Sequence, residues 1–186
     1  MARPIRISLI ATITFSILAL YQVAHASEYH ASGNASGTFV TANFDFDQAN
    51  ESTPAVHITL QGDLTVIGRI TDYLVTETKP DSTVSCPTGQ IGFSLVSSSA
   101  YSAVFRSDSK GDLIYVGGPA SAGECLNPVN GATTINGSAT ISGGTGRFAD
   151  ATGTESFQCT GQTLAVDPSF HVFGAEACAK TLDISF

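Results

Sequence analysis

Alternating apolar and polar residues recur along most of the chain and predict β-strands. From Val40 to Phe46 and from Val56 to Leu60 every second residue is apolar, the period-two pattern of a strand with one buried face. Nine further segments have strand-like sequences: 64–70, 72–78, 90–96, 101–106, 113–116, 134–141, 154–159, 170–173 and 181–186. No segment beyond the N-terminal region keeps a 3.6-residue period. The pattern predicts an all-β protein.

Turn-forming residues separate most of these segments and favour antiparallel pairing. Residues 107–112, Ser-Asp-Ser-Lys-Gly-Asp, join two strand-like runs and include a glycine that can adopt positive φ, which predicts a hairpin. Eight to ten short strands with such turns are typical of an antiparallel β-barrel or a β-sandwich. Periodicity alone does not distinguish these two architectures.

The N-terminus has the pattern of a signal peptide. Arg3 and Arg6 precede an uncharged, mostly apolar run over residues 7–23, and Ala24-His25-Ala26 follows it. Small residues at −3 and −1 predict cleavage after Ala26, so residues 1–26 are assigned to the signal peptide. The alternative is an uncleaved membrane anchor. Residues 27–37 are small and polar and are predicted to form a flexible lead-in to a single β-barrel domain at 38–186.

The net charge of the chain limits which kinds of molecule it can bind. Hydrophobic residues make up 42% of the chain and charged residues 13%, which is typical of a soluble globular domain. Residues 27–186 contain 16 acidic residues against 6 Lys and Arg, a net charge of −10. Nucleic acids and anionic membranes are polyanions, so this charge opposes binding to either. We expect no nucleic-acid partner and, after cleavage, no stable membrane span; association into oligomers stays open.

Cysteine content indicates covalent stabilisation. Cys86, Cys125, Cys159 and Cys178 all follow the signal segment, and an even number of cysteines in an exported protein predicts two disulfides. Three connectivities exist, of which the sequence-nearest one, Cys86 with Cys125 and Cys159 with Cys178, is favoured. The spacings contain no C-x-x-C and no nearby histidine, so no metal site is predicted.

One glycine-rich segment stands out. In Ile141-Ser-Gly-Gly-Thr-Gly-Arg-Phe-Ala-Asp-Ala-Thr-Gly153, the structural positions are Gly143, Gly144, Gly146, Phe148 and Gly153. The glycines permit a tight reversal and the phenylalanine can anchor it in the core. Gly144, Gly146 and Ala149 also fit a dinucleotide-binding pattern, but that site needs a helix directly afterwards, and the next residues are poor helix formers. We therefore expect no cofactor and predict a packed corner, with Arg147 paired to Asp150 or another acid.

The same segment resembles the Gly-Gly-Thr-Gly-x-Phe-x-x-(small)-x-Gly motif shared by plant allene oxide cyclases and dirigent proteins, and it is similar to a group of secreted bacterial proteins. The resemblance implies an eight-stranded antiparallel β-barrel of calycin-like shape. In those families the motif is mainly architectural. The activity of those families does not follow from the motif, because the residues that handle ligand lie elsewhere in the barrel.

No catalytic constellation is visible in the sequence. His30, His57 and His171 belong to no nucleophile or metal motif, and catalytic and ligand-binding residues are left unassigned. Asp45, Asp47 and Glu51 form an acidic cluster that lacks the features of a calcium loop. Asp108 and Asp112 flank the predicted hairpin and are expected to bond to turn amides. Most aromatic residues are expected in the core, with a minority lining a pocket.

These observations favour a secreted or periplasmic, disulfide-stabilised β-barrel that is not an enzyme. It is expected to bind a small apolar ligand or to act as an extracellular interaction module. The alternative is a cyclase-like or dirigent-like catalyst with an aromatic-lined cavity, in which few polar groups are needed. A cavity that combines aromatic walls with a buried carboxylate or tyrosine would favour this catalyst.

Overall fold

The structure is a computed structural model that describes residues 27–42, 55–95, 104–108, 110–167 and 171–186. Nine β-strands make up most of this part of the chain. They are β1 (Glu28–Ala42), β2 (Ala55–Leu64), β3 (Gly68–Pro80), β4 (Ile91–Leu95), β5 (Val104–Ser107), β6 (Leu113–Leu126), β7 (Ala132–Gly144), β8 (Thr152–Val166) and β9 (Val172–Ser185). Among the described residues, no helix is long and apolar enough to cross a membrane.

The strands form one antiparallel sheet that closes on itself. Its order is β2-β1-β9-β8-β7-β6-β4-β3-β5, and β2 also pairs with β3. Both β4 and β5 lie between β3 and β6, so nine strands occupy eight positions around the ring. The predicted eight-stranded barrel is confirmed, with one position divided between two short strands. The sandwich alternative is wrong, because the sheet is closed.

Three predicted segment boundaries differ from the structure. Residues 27–37 are not a loose lead-in, since β1 begins at Glu28 and pairs with both β2 and β9. The segment 64–70 is not one strand, because the chain reverses at 65–67, where Val66 has φ +66°. Leu64, Ile67 and Ile70 are buried around this turn, whereas Val66 is 54% exposed. The segments 170–173 and 181–186 belong largely to one strand, β9. The predicted hairpin at 107–112 is confirmed by the pairing of β5 with β6.

One end of the barrel is filled with side chains. Buried residues from several strands meet there: Ala31, Leu64, Ile70, Ile114, Val116, Ile141, Leu182 and Ile184. Phe148 is completely buried, and its ring meets the Phe186 ring edge-on with centroids 4.8 Å apart. Phe186 in turn stacks on Tyr29. We call this the closed end; burial of this apolar surface is the main source of stability.

The glycine-rich segment forms the corner that seals the closed end. After β7, Gly146, Arg147 and Phe148 form a single 3₁₀ turn, and β8 begins at Thr152. Gly146 has φ +55°, and a Cβ at this position would collide with the Asp112 carboxylate. The prediction of a packed corner anchored by Phe148 is confirmed. A strand rather than a helix follows, so a dinucleotide site is not formed here.

Both disulfides have the favoured connectivity. Cys86 and Cys125 join the segment 81–90 to β6, with Cα atoms 5.6 Å apart. Cys159 and Cys178 are directly opposite each other on β8 and β9, with Cα atoms 4.0 Å apart. The first bond closes a long separation of 39 residues, whereas the second joins two strands that are already paired.

Candidate ligand-binding cavity

The half of the barrel opposite the closed end contains a cavity of about 420 Å³. Its wall is built from the inward-facing residues of β1–β4 and β6–β9, which alternate with outward-facing residues along each strand. The apolar lining is Phe39, Val56, Ile58, Leu60, Leu74, Phe93, Leu95, Ala122, Leu126, Ile135, Ala139, Phe157 and Val172. A volume of this size and composition is typical of sites for small organic molecules.

A buried ion-pair cluster lines the same cavity. Lys180 Nζ lies 2.8 Å from Asp72 Oδ2 and 3.2 Å from Glu155 Oε1, and all three side chains are less than a tenth exposed. Glu155 and Lys180 lie on the paired strands β8 and β9. Asp72 lies on β3, three positions from β9 around the ring, so barrel closure is what brings it to Lys180. Lys180 Nζ also lies 5.8 Å from the centroid of the Phe157 ring. Buried charges persist only when they are paired in this way.

Two further carboxyl groups line the cavity, Glu176 on β9 and Glu124 on β6. Burial raises the pKa of Glu176 to about 7; Lys180 opposes this shift and the charge of Glu124 adds to it. Burial also raises the pKa of Glu124. Near neutral pH Glu176 therefore exists in both its protonated and its ionised form, which is the condition that a general acid or base requires.

Glu176 lies against the disulfide in the cavity wall. Its Oε1 is 3.1 Å from Cys178 Sγ. A disulfide sulfur has no hydrogen, so in this contact the protonated carboxyl group donates and the sulfur is a weak acceptor. Cys159, Glu176 and Cys178 lie within metal-binding distance of one another, but both sulfurs are engaged in the disulfide. Without free thiolates the group does not have the soft ligands that zinc or copper would need.

One hydroxyl group of the cavity wall has no hydrogen-bond partner in the part of the chain that the structure describes. Thr76 on β3 is 8% exposed, and its Oγ1 is buried without a donor or acceptor among the described residues. A buried hydroxyl without a partner costs free energy. A ligand with a polar group in this part of the cavity would satisfy it.

Of the histidines and acidic residues considered from the sequence, those that the structure describes do not line the cavity. His57 is exposed on β2, and His30 and His171 form surface pairs with Asp183 and Asp167 at 2.7 and 2.8 Å. The acidic cluster at 45–51 lies outside the described residues. Asp108 does accept hydrogen bonds from the turn amides of Lys110 and Asp112, as predicted. Gly143, Gly144, Gly146, Phe148 and Gly153 belong to the closed end and do not line the cavity.

The charged cavity residues had a detectable sequence signal. Along β9, Glu176, Cys178, Lys180, Leu182 and Ile184 are all buried at a spacing of two. Lys180 and Glu176 therefore share the phase of the apolar residues that fill the barrel. A charged residue in the buried phase of a strand is rare enough to indicate a functional or paired group. Glu155 on β8 and Asp72 on β3 carry the same signal.

The fold and the cavity define a class: an all-β protein built on a closed antiparallel barrel, with two disulfides and an internal cavity. No protein-family model matches the chain, and no curated protein matches its sequence. Among solved structures, the chain is similar to a pterocarpan synthase dirigent protein, with 16% sequence identity over 88% of both chains and a TM-score of 0.23.

Proposed function

We propose that the protein is a secreted or periplasmic barrel that binds a small, largely apolar molecule in its internal cavity. The cavity of about 420 Å³ with aromatic and aliphatic walls is the observation that carries this proposal. Phe39, Phe93 and Phe157 contribute three aromatic side chains to its lining. Such surfaces bind apolar ligands because both partners are removed from water. The favourable free energy is roughly 25 cal/mol per Å² of buried apolar area.

The binding test uses N-phenyl-1-naphthylamine, an uncharged dye whose fluorescence rises in apolar surroundings. We expect saturable binding to residues 27–186 with both disulfides formed. Leu74→Trp places a larger side chain in the cavity wall and should weaken dye binding at least tenfold. Tyr73→Trp is the matched control, because Tyr73 is the neighbouring residue on the outer face and is 52% exposed. No dye binding, or equal effects of the two variants, would refute an internal binding site.

A catalyst of the cyclase-like or dirigent-like kind is the second candidate. The observation that favours it is Glu176, a carboxyl group with a pKa of about 7 in an aromatic-lined cavity. Such a group can transfer protons at neutral pH. Molecules that co-purify with the wild type and with Glu176→Gln would discriminate the two functions. A catalyst should hold product in the wild type and unreacted substrate in the variant, whereas a binding protein should hold the same molecule in both.

Export of the protein rests on the sequence of residues 1–26 and on the two disulfides, which require an oxidising compartment. The test is mass spectrometry of the protein from an export-competent host, first native and then denatured without reductant. The expected mass is that of residues 27–186 less four hydrogens. Extra mass in the native state that is lost on denaturation would be the ligand. A bare native mass would favour an interaction module instead.

A further inference from the structure

The charged groups of the cavity fall into two sets. Lys180 is engaged by Asp72 and Glu155 at 2.8 and 3.2 Å, while Glu124 and Glu176 lie outside these two ion pairs. Among the described residues, the lining side chains from β1, β2, β4 and β7 are all uncharged. In the antiparallel pairing of β3 with β5, the residue opposite Asp72 is Arg106. The ligand therefore meets Glu124 and Glu176 as the acids that are not already joined to Lys180.

Burial opposes ionisation of these two acids, even though Lys180 lies near Glu176. Burial raises the pKa of each acid because it disfavours the ionised form. For Glu176, burial is the largest influence, the charge of Lys180 lowers the pKa and the charge of Glu124 raises it. Glu176 is 6% exposed, and its described contact is with a disulfide sulfur, a weak partner for a carboxylate. A positive charge bound beside these acids in the cavity would offset the cost of their burial and, for Glu176, the repulsion by Glu124.

The rest of the wall suits the remainder of such a ligand. Phe39, Phe93 and Phe157 supply aromatic faces, which attract organic cations as well as apolar groups. The Thr76 hydroxyl, for which the described residues provide no partner, offers a further acceptor for an N–H group. The cavity thus combines carboxylates, a free acceptor and aromatic surface, the combination that recognises a protonated amine with an apolar body.

We propose that the cavity selects small organic cations, amines that carry an aromatic or aliphatic body, and that Glu176 and Glu124 are their counter-ions. The proposal rests on the proposed binding function and names the ligand class. At the pH where Glu176 is protonated, binding of the cation releases its proton. Affinity for the cation therefore increases as Glu176 ionises and levels off above that range.

The test uses three compounds that have nearly the same shape as one another: 1-naphthylmethylamine, 1-naphthylmethanol and 1-naphthoate. Each is measured as a competitor for binding of N-phenyl-1-naphthylamine. At pH 8 the amine should displace the dye at roughly tenfold lower concentration than the alcohol, because a hydrogen bond between charged partners is the stronger one. The naphthoate should be weakest. At pH 5.5 the advantage of the amine over the alcohol should largely disappear.

Two isosteric substitutions test which carboxyl group is responsible for the preference for the amine. Glu176→Gln should remove most of the amine's advantage at pH 8 and leave the alcohol unchanged, and Glu124→Gln should give a smaller loss. Glu28→Gln changes an exposed acid on β1 and should alter neither ligand. If the dye binds but the amine and the alcohol compete equally well, or naphthoate competes best, the cation proposal is wrong and the binding function still stands. Failure of the dye and all three competitors to bind would refute the binding function itself.

Discussion

Arg147 Nη2 donates a hydrogen bond to the buried carboxylate of Asp108, with 2.7 Å between Nη2 and Oδ2. The same Nη2 donates to the carbonyl oxygen of Ile67 at 2.9 Å, and the guanidinium lies 4.4 Å from the centroid of the Phe148 ring. One side chain thus joins the glycine-rich corner to the β2–β3 turn and the β5–β6 hairpin. The prediction that Arg147 pairs with an acid is confirmed, with Asp108 as its partner.

Hydrogen bonds keep Asp108 ionised despite its burial. Burial is the largest single influence and raises the pKa of Asp108. The backbone N–H groups of Lys110 and Asp112, together with Arg147, outweigh it, and the pKa lies below its usual range. Loss of Arg147 would remove the guanidinium counter-charge, 2.7 Å away, from this buried carboxylate.

Arg147→Met should therefore destabilise the protein by about 2 kcal/mol, since it removes a charged hydrogen bond but keeps an apolar stem near Phe148. The measurement is urea unfolding at pH 7. Arg69→Met is the matched control, because Arg69 faces Asp63 at 3.7 Å on the surface, where both side chains are more than two-thirds exposed. This variant should cost less than about 0.5 kcal/mol. Equal losses in the two variants would contradict the special role of Arg147.

Stability of the ligand-free protein should fall as pH rises through the range in which Glu176 titrates. Its folded pKa of about 7 exceeds the ordinary value of 4.5, so the folded state binds this proton more tightly than the unfolded state. The resulting stabilisation is present in full below pH 4.5, decreases between pH 4.5 and 7, and is lost above pH 7.

The change over this range is at most ~3.5 kcal/mol, since one pKa unit corresponds to about 1.4 kcal/mol. Urea unfolding at several pH values measures it, and Glu176→Gln should flatten the dependence. Glu28→Gln should not change it. A variant with the same pH dependence as the wild type would show that another group is responsible.

The two disulfides should differ in their contributions to stability and to dye binding in the cavity. In the chain-entropy view, Cys86–Cys125 contributes about 4 kcal/mol and Cys159–Cys178 about 3 kcal/mol, because the first closes the longer separation. Paired replacement by alanine should produce losses in this order on urea unfolding. Only the Cys159→Ala, Cys178→Ala variant should change dye binding, since both residues line the cavity and Cys86 and Cys125 do not. An equal change of dye affinity in both variants would contradict the assignment of the cavity wall.

Substitution of two glycines with positive φ distinguishes the cost of backbone strain from the cost of a steric collision. Gly111 has φ +83° with open space around it, whereas a Cβ at Gly146, φ +55°, would meet the Asp112 carboxylate. Gly111→Ala should cost about 1 kcal/mol, the strain of a left-handed alanine. Gly146→Ala should cost at least ~1 kcal/mol more, because Asp112 must move. Thermal unfolding measures both, and equal costs would mean that the corner adapts freely.

The local sequence determined those features that depend on neighbouring residues. Alternation over Val56–Leu60 predicted a strand because side chains point alternately to the two faces of a sheet. The glycines at 143–146 with Phe148 predicted the corner, since positive φ and a large apolar anchor are local requirements. The nearest-cysteine pairing was also correct. By contrast, the turn at 65–67 was missed, because Leu64, Ile67 and Ile70 are buried around it and Val66 adds an apolar residue in the turn, so the sequence resembles a continuous strand.

Only the tertiary structure decided that the sheet closes and what the closure encloses. Pairing of β1 with β9 joins residues that are far apart in sequence, and alternation is the same in a barrel and in a sandwich. Closure then places Lys180 beside Asp72 and Glu155, which lie 108 and 25 positions away in the chain. The cavity and its charges are properties of this long-range geometry, since no local pattern specifies which buried faces will point at one another.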